Sequence, residues 1–242
     1  MKIILCGYHW AGCRALDILS ESASEIYVFT HDSPYHIPSL KALCEERDIR
    51  YSTNPVSIDN LPFKPDILVS VYYRFIISKD VLTICDGKAI NLHPSLLPDY
   101  RGCSSLTWAL INNEREVGFT YHYIDEGIDT GNIIVQKPVA LYEWDTQGSL
   151  YYRVMFEALA YLNESVNKVL EGYPGQVQAT KGRYYKRGCP FEGEIQVDWS
   201  EAEVKRFIRA MTFPPYPPAR YKGVEVRSYE DFVKIKNKGY TK

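Results

Sequence analysis

The feature that most constrains this chain is an alternation repeated through its first half. Short apolar runs at Lys2–Cys6, Glu25–Thr30, Asp66–Val71 and Ala89–His93 are separated by segments of helical spacing or turn chemistry. Ala11, Ala15, Leu16, Ile18 and Leu19 share the spacing of one helix face, which predicts a helix over Ala11–Leu19. Pro38–Arg47 reads as a second helix with its proline near the first turn, where a missing N–H costs nothing. Strands that are apolar along their whole length are buried on both faces, and strand–helix repetition calls for parallel pairing. The expected fold is α/β: a doubly wound, Rossmann-like, mostly parallel sheet.

The texture changes after His93. Pro94–Gly102 reads as a loop, Ser104–Asn113 as a short helix and Val117–Ile124 as a strand. Asp125–Gly131 is a turn cluster, and Asn132–Leu141 reads as a strand paired with the one before it. Thr146–Leu170 is expected to be one long helix carrying Leu150, Val154, Leu159, Leu162, Val166 and Val169 on one face. The organisation that follows is a catalytic domain over 1–175 and a small α+β appendage with a hairpin over 176–242, with one helix at Glu201–Met211. The basic tail Lys234–Lys242 reads as a solvated terminus.

Composition narrows the function classes. The formal net charge of −2, from 28 basic and 30 acidic residues, argues against a nucleic-acid partner. No apolar run is long enough for a membrane span, and the first residues lack the apolar stretch of a signal peptide, so a cytoplasmic protein is expected. Six cysteines, at 6, 13, 44, 85, 103 and 189, form no C-x-x-C pair and read as reduced thiols. His31, Asp32 and His36 have no second cluster to complete a metal site, so no metal is expected.

Three residues carry the chemistry. Asn91 and His93 project to the same side of a strand, at the carboxyl end where open α/β sheets bind ligands. An imidazole there can take a proton from an attacking amine, and an amide N–H can hold the oxyanion of acyl transfer. Asp129, in the turn Gly127–Gly131, can orient the imidazole; an aspartate that merely caps the turn is the competing reading. Gly7–Gly12, between the first strand and first helix, lacks the G-x-G-x-x-G spacing and reads first as a tight strand–helix turn.

The stretch Asn91-Leu-His-Pro-Ser-Leu-Leu-Pro-Asp-Tyr-Arg-Gly102, followed by Gly118-Phe-Thr-Tyr-His-Tyr-Ile-Asp-Glu-Gly-Ile-Asp-Thr-Gly-Asn-Ile-Ile134, resembles the folate-dependent formyltransferases over roughly residues 66–140. The resemblance implies that Asn91, His93 and Asp129 form the catalytic triad and that N10-formyltetrahydrofolate is the formyl donor. It implies that Tyr72, Tyr73, Arg74, Phe75, Ile76 and Ile77, with Asp125, border the folate. Tyr8, Arg101, His122 and Tyr216 are the candidates for touching the acceptor, and Tyr216 has an aromatic face suited to a nucleobase. A packed strand histidine and a tyrosine held among prolines are the competing readings of His122 and Tyr216.

Within that family the chain resembles the bacterial nucleotide-sugar N-formyltransferases. The segment Arg209–Arg220 is similar to one that follows their core. The stretch after Gln176 is too short for the β-barrel of the tRNA enzymes. The first glycine loop differs from that of the glycinamide ribonucleotide enzymes. The acceptor the resemblance implies is a dTDP-linked 4-amino-4,6-dideoxysugar for surface polysaccharide such as O-antigen. A dTDP-3-amino sugar, UDP- or GDP-linked amines, glycinamide ribonucleotide, hydrolysis of the donor and a folate-binding module without activity are the alternatives. A homodimer through Val224–Ile235 is also expected from the resemblance.

Overall fold

A computed structural model of the chain describes residues 1–238. The elements run β1 (Lys2–Gly7), α1 (His9–Ser20), β2 (Glu25–Phe29), α2 (Leu40–Glu46), β3 (Tyr51–Ser52), β4 (Ile67–Val71), α3 (Lys79–Ile84) and β5 (Ala89–His93). They continue as β6 (Arg101–Gly102), α4 (Ser105–Ile111), β7 (Glu116–Tyr123), β8 (Ile133–Ala140), α5 (Gln147–Leu159) and α6 (Leu162–Leu170). The last are β9 (Tyr184–Tyr185), α7 (Glu201–Ala210), β10 (Ala219–Tyr221), β11 (Val224–Val226) and α8 (Tyr229–Lys238).

Seven strands form one sheet in the order β3-β2-β1-β4-β5-β7-β8. The first five are parallel; β7 and β8 join antiparallel. Pleating divides the apolar runs as a doubly covered sheet requires. Ile3 and Leu5 pack into a core shared with α1, α4, α5 and α6. Ile4 and Cys6 of the same strand pack on the other face with Val81, Leu82 and Cys85 from α3 and its end. Pro138 is tolerated in β8 because that strand is an edge, where a missing donor breaks no ladder.

The segment expected to be one helix over Thr146–Leu170 is two, α5 and α6. The Tyr121 hydroxyl donates to the Ala158 carbonyl at 3.1 Å, and the Tyr161 N–H turns to the same carbonyl at 3.0 Å. That tightened turn breaks the ladder, although the buried stripe runs through it. In α2 the proline lies outside the helix: Ser39 caps it, accepting from the Ala42 N–H at 3.1 Å, and Pro38 precedes the cap. Gly7 and Gly12 approach so closely that a Cβ on Gly12 would lie 3.1 Å from the Gly7 carbonyl carbon, which fits the tight-turn reading of that loop.

The chain after Gln176 has two parts. Its first stretch straps across the part that carries the seven-stranded sheet, where β9 pairs with β6 and Gln176 bridges to Ile133. Its second builds a small core of Ile195, Val204, Phe207, Tyr221, Val226 and Phe232. Val226 and Phe232, expected at a dimer contact, are thus buried within the chain itself. The tail expected to be solvated continues as α8 through Lys238; its remainder, 239–242, lies outside the described residues. Among the described residues no helix is long and apolar enough to cross a membrane.

Candidate active site

The β5–β7 pairing builds the centre. Register sets Asn91 opposite His122 and His93 opposite Thr120, so two residues from each strand converge at the carboxyl end of the parallel half. The Ser70 hydroxyl of β4 donates to Asn91 Oδ1 at 2.8 Å. Asn91 Nδ2 lies 3.2 Å from His122 Nε2, and His122 Nδ1 lies 2.7 Å from the Tyr123 carbonyl. A carbonyl only accepts, so Nδ1 carries the His122 proton and Nε2 accepts from Asn91. One hydrogen of the Asn91 amide is therefore committed, and the other is left for a ligand.

His93 is held in the same manner. Its Nε2 lies 2.8 Å from the Tyr100 carbonyl and 3.3 Å from the Ser105 hydroxyl. The carbonyl fixes the proton on Nε2 and leaves the lone pair on Nδ1, which faces Asp129 Oδ2 at 3.5 Å. The sequence suggested Asp129 as the group that orients the imidazole; the tautomer is set by the main chain at Tyr100. Tyr100 can reach back because it sits in the left-handed region, with φ 61. Burial is the main effect lowering the His93 pKa; Asp129 and the Tyr100 carbonyl oppose it, and His122 adds to it. The ring is neutral at pH 7, the state a base requires.

Asp129 stays ionised in spite of its surroundings. Burial pushes its carboxyl up, but His93, His122 and the Gly102 N–H pull it to about 2. That N–H donates to Oδ2 at 2.7 Å, and His122 Nε2 lies 3.5 Å from Oδ1. Gly102 has φ +89, and a Cβ there would meet the Tyr185 carbonyl oxygen at 2.1 Å, so the donor can be delivered only by glycine.

Gln178, which the sequence did not single out, braces the same turn. Its Nε2 donates to the Asp129 carbonyl at 3.0 Å and the Gly131 carbonyl at 2.7 Å. Arg101 completes the brace: it is buried, donating to Gln178 Oε1 at 2.5 Å and to the Lys181 carbonyl at 2.7 Å. The structure thus holds Arg101 against the strap and His122 behind Asn91, both engaged with protein. Asp125 lies on the surface and caps its own turn, accepting from the Gly127 N–H and the Thr130 hydroxyl.

The loop after β4 divides by side. Ile77 is buried, and the Tyr73 hydroxyl accepts from the Val56 N–H at 3.1 Å. Ile76 is 84% exposed, Arg74 is exposed and Phe75 is half-buried. Tyr72 turns at φ 61 and meets the rings of His9 and Tyr151. Part of its surface is open, yet burial around its hydroxyl pushes the phenol up, and Tyr216, Tyr8 and Cys103 add to the shift. Tyr8 stacks on His31, and Tyr216 meets Phe213 edge-on. These rings line an aromatic edge beside the catalytic cluster.

Residues 30–166 match the model of the formyl transferase family, and the chain belongs to that family. It transfers formyl groups. Among curated proteins it is 40% identical over 200 residues to the GDP-perosamine N-formyltransferase of Brucella melitensis, covering 81% of this chain and 77% of that one. The fold is that of an N-formyltransferase from Helicobacter canadensis solved with folinic acid and dTDP-3-aminofucose, with TM-score 0.77, 21% identity and coverage of 94% and 86%. A 4-N formyltransferase from Francisella tularensis aligns with TM-score 0.73 and 21% identity over 93% of this chain and 95% of that one.

Proposed function

We propose that the chain is a sugar N-formyltransferase that moves the formyl group of N10-formyltetrahydrofolate to the amine of a nucleotide-linked amino sugar. The observation that carries this is the 40% identity with an enzyme acting on GDP-perosamine, over four-fifths of the chain. The neighbour solved with dTDP-3-aminofucose, at 21% identity, bears only on the fold. A GDP-linked amino sugar is therefore the first acceptor to try, ahead of the dTDP-linked one that the resemblance implied.

The folate fits the loop after β4. Among the described residues, no main-chain hydrogen bond is made by the N–H groups of residues 73–77, so that edge is open to a heterocycle with donors and acceptors. The bound folate supplies an activated formyl group. His93 takes the proton of the attacking amine at Nδ1 and returns it to N10 as the formyl carbon–N10 bond breaks and tetrahydrofolate leaves, and the Asn91 amide donates to the formyl oxygen while negative charge gathers there. Asp129 stabilises the imidazolium. Ser70 and His122 hold the Asn91 amide in position, so no reorganisation is needed at the moment of reaction.

The test is an acceptor screen. The protein is incubated with N10-formyltetrahydrofolate and GDP-, dTDP- or UDP-linked amino sugars, glycinamide ribonucleotide, or no acceptor, and products are read by mass. A formylated GDP-linked sugar is expected. Formyl loss without acceptor would mean a hydrolase, and folate binding without turnover a binding module.

A further inference from the structure

A second cluster lies beside the catalytic one, at the carboxyl ends of β1, β2 and β4. Tyr8 and His31 stack with ring centres 3.8 Å apart. Phe75 meets His31 edge-on at 5.9 Å, and the Arg74 guanidinium lies 5.3 Å from the centre of the Phe75 ring. From the strap, Arg187 donates to the Arg74 carbonyl at 2.8 Å. One chain of contacts thus joins the strap, the loop after β4 and the ends of β1 and β2.

The cluster's two guanidiniums carry no counter-charge from the described residues. Arg74 and Arg187 are both exposed, and neither has a carboxylate partner among the described residues. Asp32, next to His31, is engaged by Lys41 at 2.9 Å. The Nδ1 of His31 is buried without a hydrogen-bond partner, a state that costs free energy until a partner arrives. Burial first, then Arg74, with Asp32 opposing and Arg187 adding, holds this imidazole down to about 4. At neutral pH the positive charge therefore lies on two guanidiniums, whose planar forks match phosphate oxygens.

The cluster is also in line with the chemistry. Tyr72 lies between the two centres: it follows β4, whose Ser70 donates to Asn91, and its ring reaches Tyr8 through His9, with ring centres 5.6 and 6.1 Å apart. A molecule with its amine at His93 would lay its other end along this edge.

We propose that Arg74 and Arg187, with His31 behind them, form the site for the diphosphate of the acceptor. The inference rests on the reading of the acceptor as a nucleotide-linked amino sugar. Carboxylates of a folate glutamate tail share the anionic chemistry, so the test separates the two sources.

Arg74→Gln, Arg187→Gln and the double variant are compared with the parent protein by calorimetry. The titrants are GDP, guanosine, and folinic acid with one or three glutamates; the acceptor KM is measured alongside. Each single variant is expected to bind GDP about 10- to 100-fold more weakly and to raise the acceptor KM similarly. Guanosine and both folates should bind all proteins alike. Unchanged GDP affinity and acceptor KM in the double variant, while the parent protein formylates a nucleotide sugar, would overturn the diphosphate site alone. Loss confined to the triglutamate would assign the guanidiniums to the donor. A parent protein that formylates no nucleotide sugar would overturn the acceptor reading, and this site with it.

Discussion

The catalytic cluster and the aromatic edge beside it use the same kinds of side chain and hold them in opposite ways. In the first, both nitrogens of His122, both ends of the Asn91 amide, His93 Nε2 and Asp129 Oδ2 each have a hydrogen-bond partner in the protein. In the second, Tyr8, His31, Tyr72 and Tyr216 are held by ring contacts, and His31 Nδ1 has no partner. Hydrogen bonds fix a group to a fraction of an ångström, as proton transfer and oxyanion binding need. Ring contacts keep a surface apolar while leaving it room to adjust. The difference teaches that the Asn91–His93–Asp129 cluster is ordered by protein hydrogen bonds alone, while the edge keeps polar capacity unspent.

Substitutions can break that contrast, beginning with the largest effect. His93→Ala should lower kcat by about 10²–10⁴-fold, and Asn91→Ala by about 10²–10³-fold. Steady-state formylation measures both, and a variant keeping most of its rate would remove that residue from the chemistry. Gly102→Ala should follow. Its Cβ would collide with the Tyr185 carbonyl in a strained backbone, so a stability loss of about 1–3 kcal/mol is expected in denaturant unfolding, with reduced activity.

Gln178→Ala should cost about tenfold in kcat, because the Asp129 turn loses two donated hydrogen bonds. The acceptor KM should move little; a change in KM alone would place Gln178 at the acceptor instead. The smallest effect belongs to the edge. Tyr216→Phe keeps the ring beside Phe213 and should change the acceptor KM by less than about threefold, while kcat holds.

The pH profile sharpens the same comparison. The folded chain disfavours the charged form of His93, so its activity plateau should extend below the ordinary imidazole value of about 6.5, falling only at more acid pH. Burial likewise lowers His9 to about 4. Below about 6.5 the unfolded chain binds protons that these two rings resist, so stability should decline from there toward pH 4. Denaturant midpoints across that range, flat instead of falling, would contradict the burial of both rings.

Much of this was legible in the sequence. The apolar runs placed the parallel strands, and the N-x-H step at the end of β5 placed two candidate catalytic side chains on one side of the sheet. The rest depends on chain segments that return from far away. Nothing near Gln178 marks it as the brace of a turn some fifty positions earlier. Nothing near Tyr100 marks its carbonyl as the group that sets the His93 proton. His122 and Arg101 looked free to meet a ligand until strand pairing and the strap gave each a protein partner. The split of the long helix escaped periodicity because its apolar stripe continues through the break.

By itself, the sequence determined the class of sheet, the strand that bears Asn91 and His93, and the turn that bears Asp129. Each of these follows from neighbours a few residues apart, where pleat, helix pitch and turn preference act. Tertiary structure alone decided which tautomer His93 adopts, what keeps Asp129 ionised and which guanidiniums stand without a carboxylate partner among the described residues. Those depend on burial and on hydrogen bonds between distant segments, and they exist only once the chain has closed on itself.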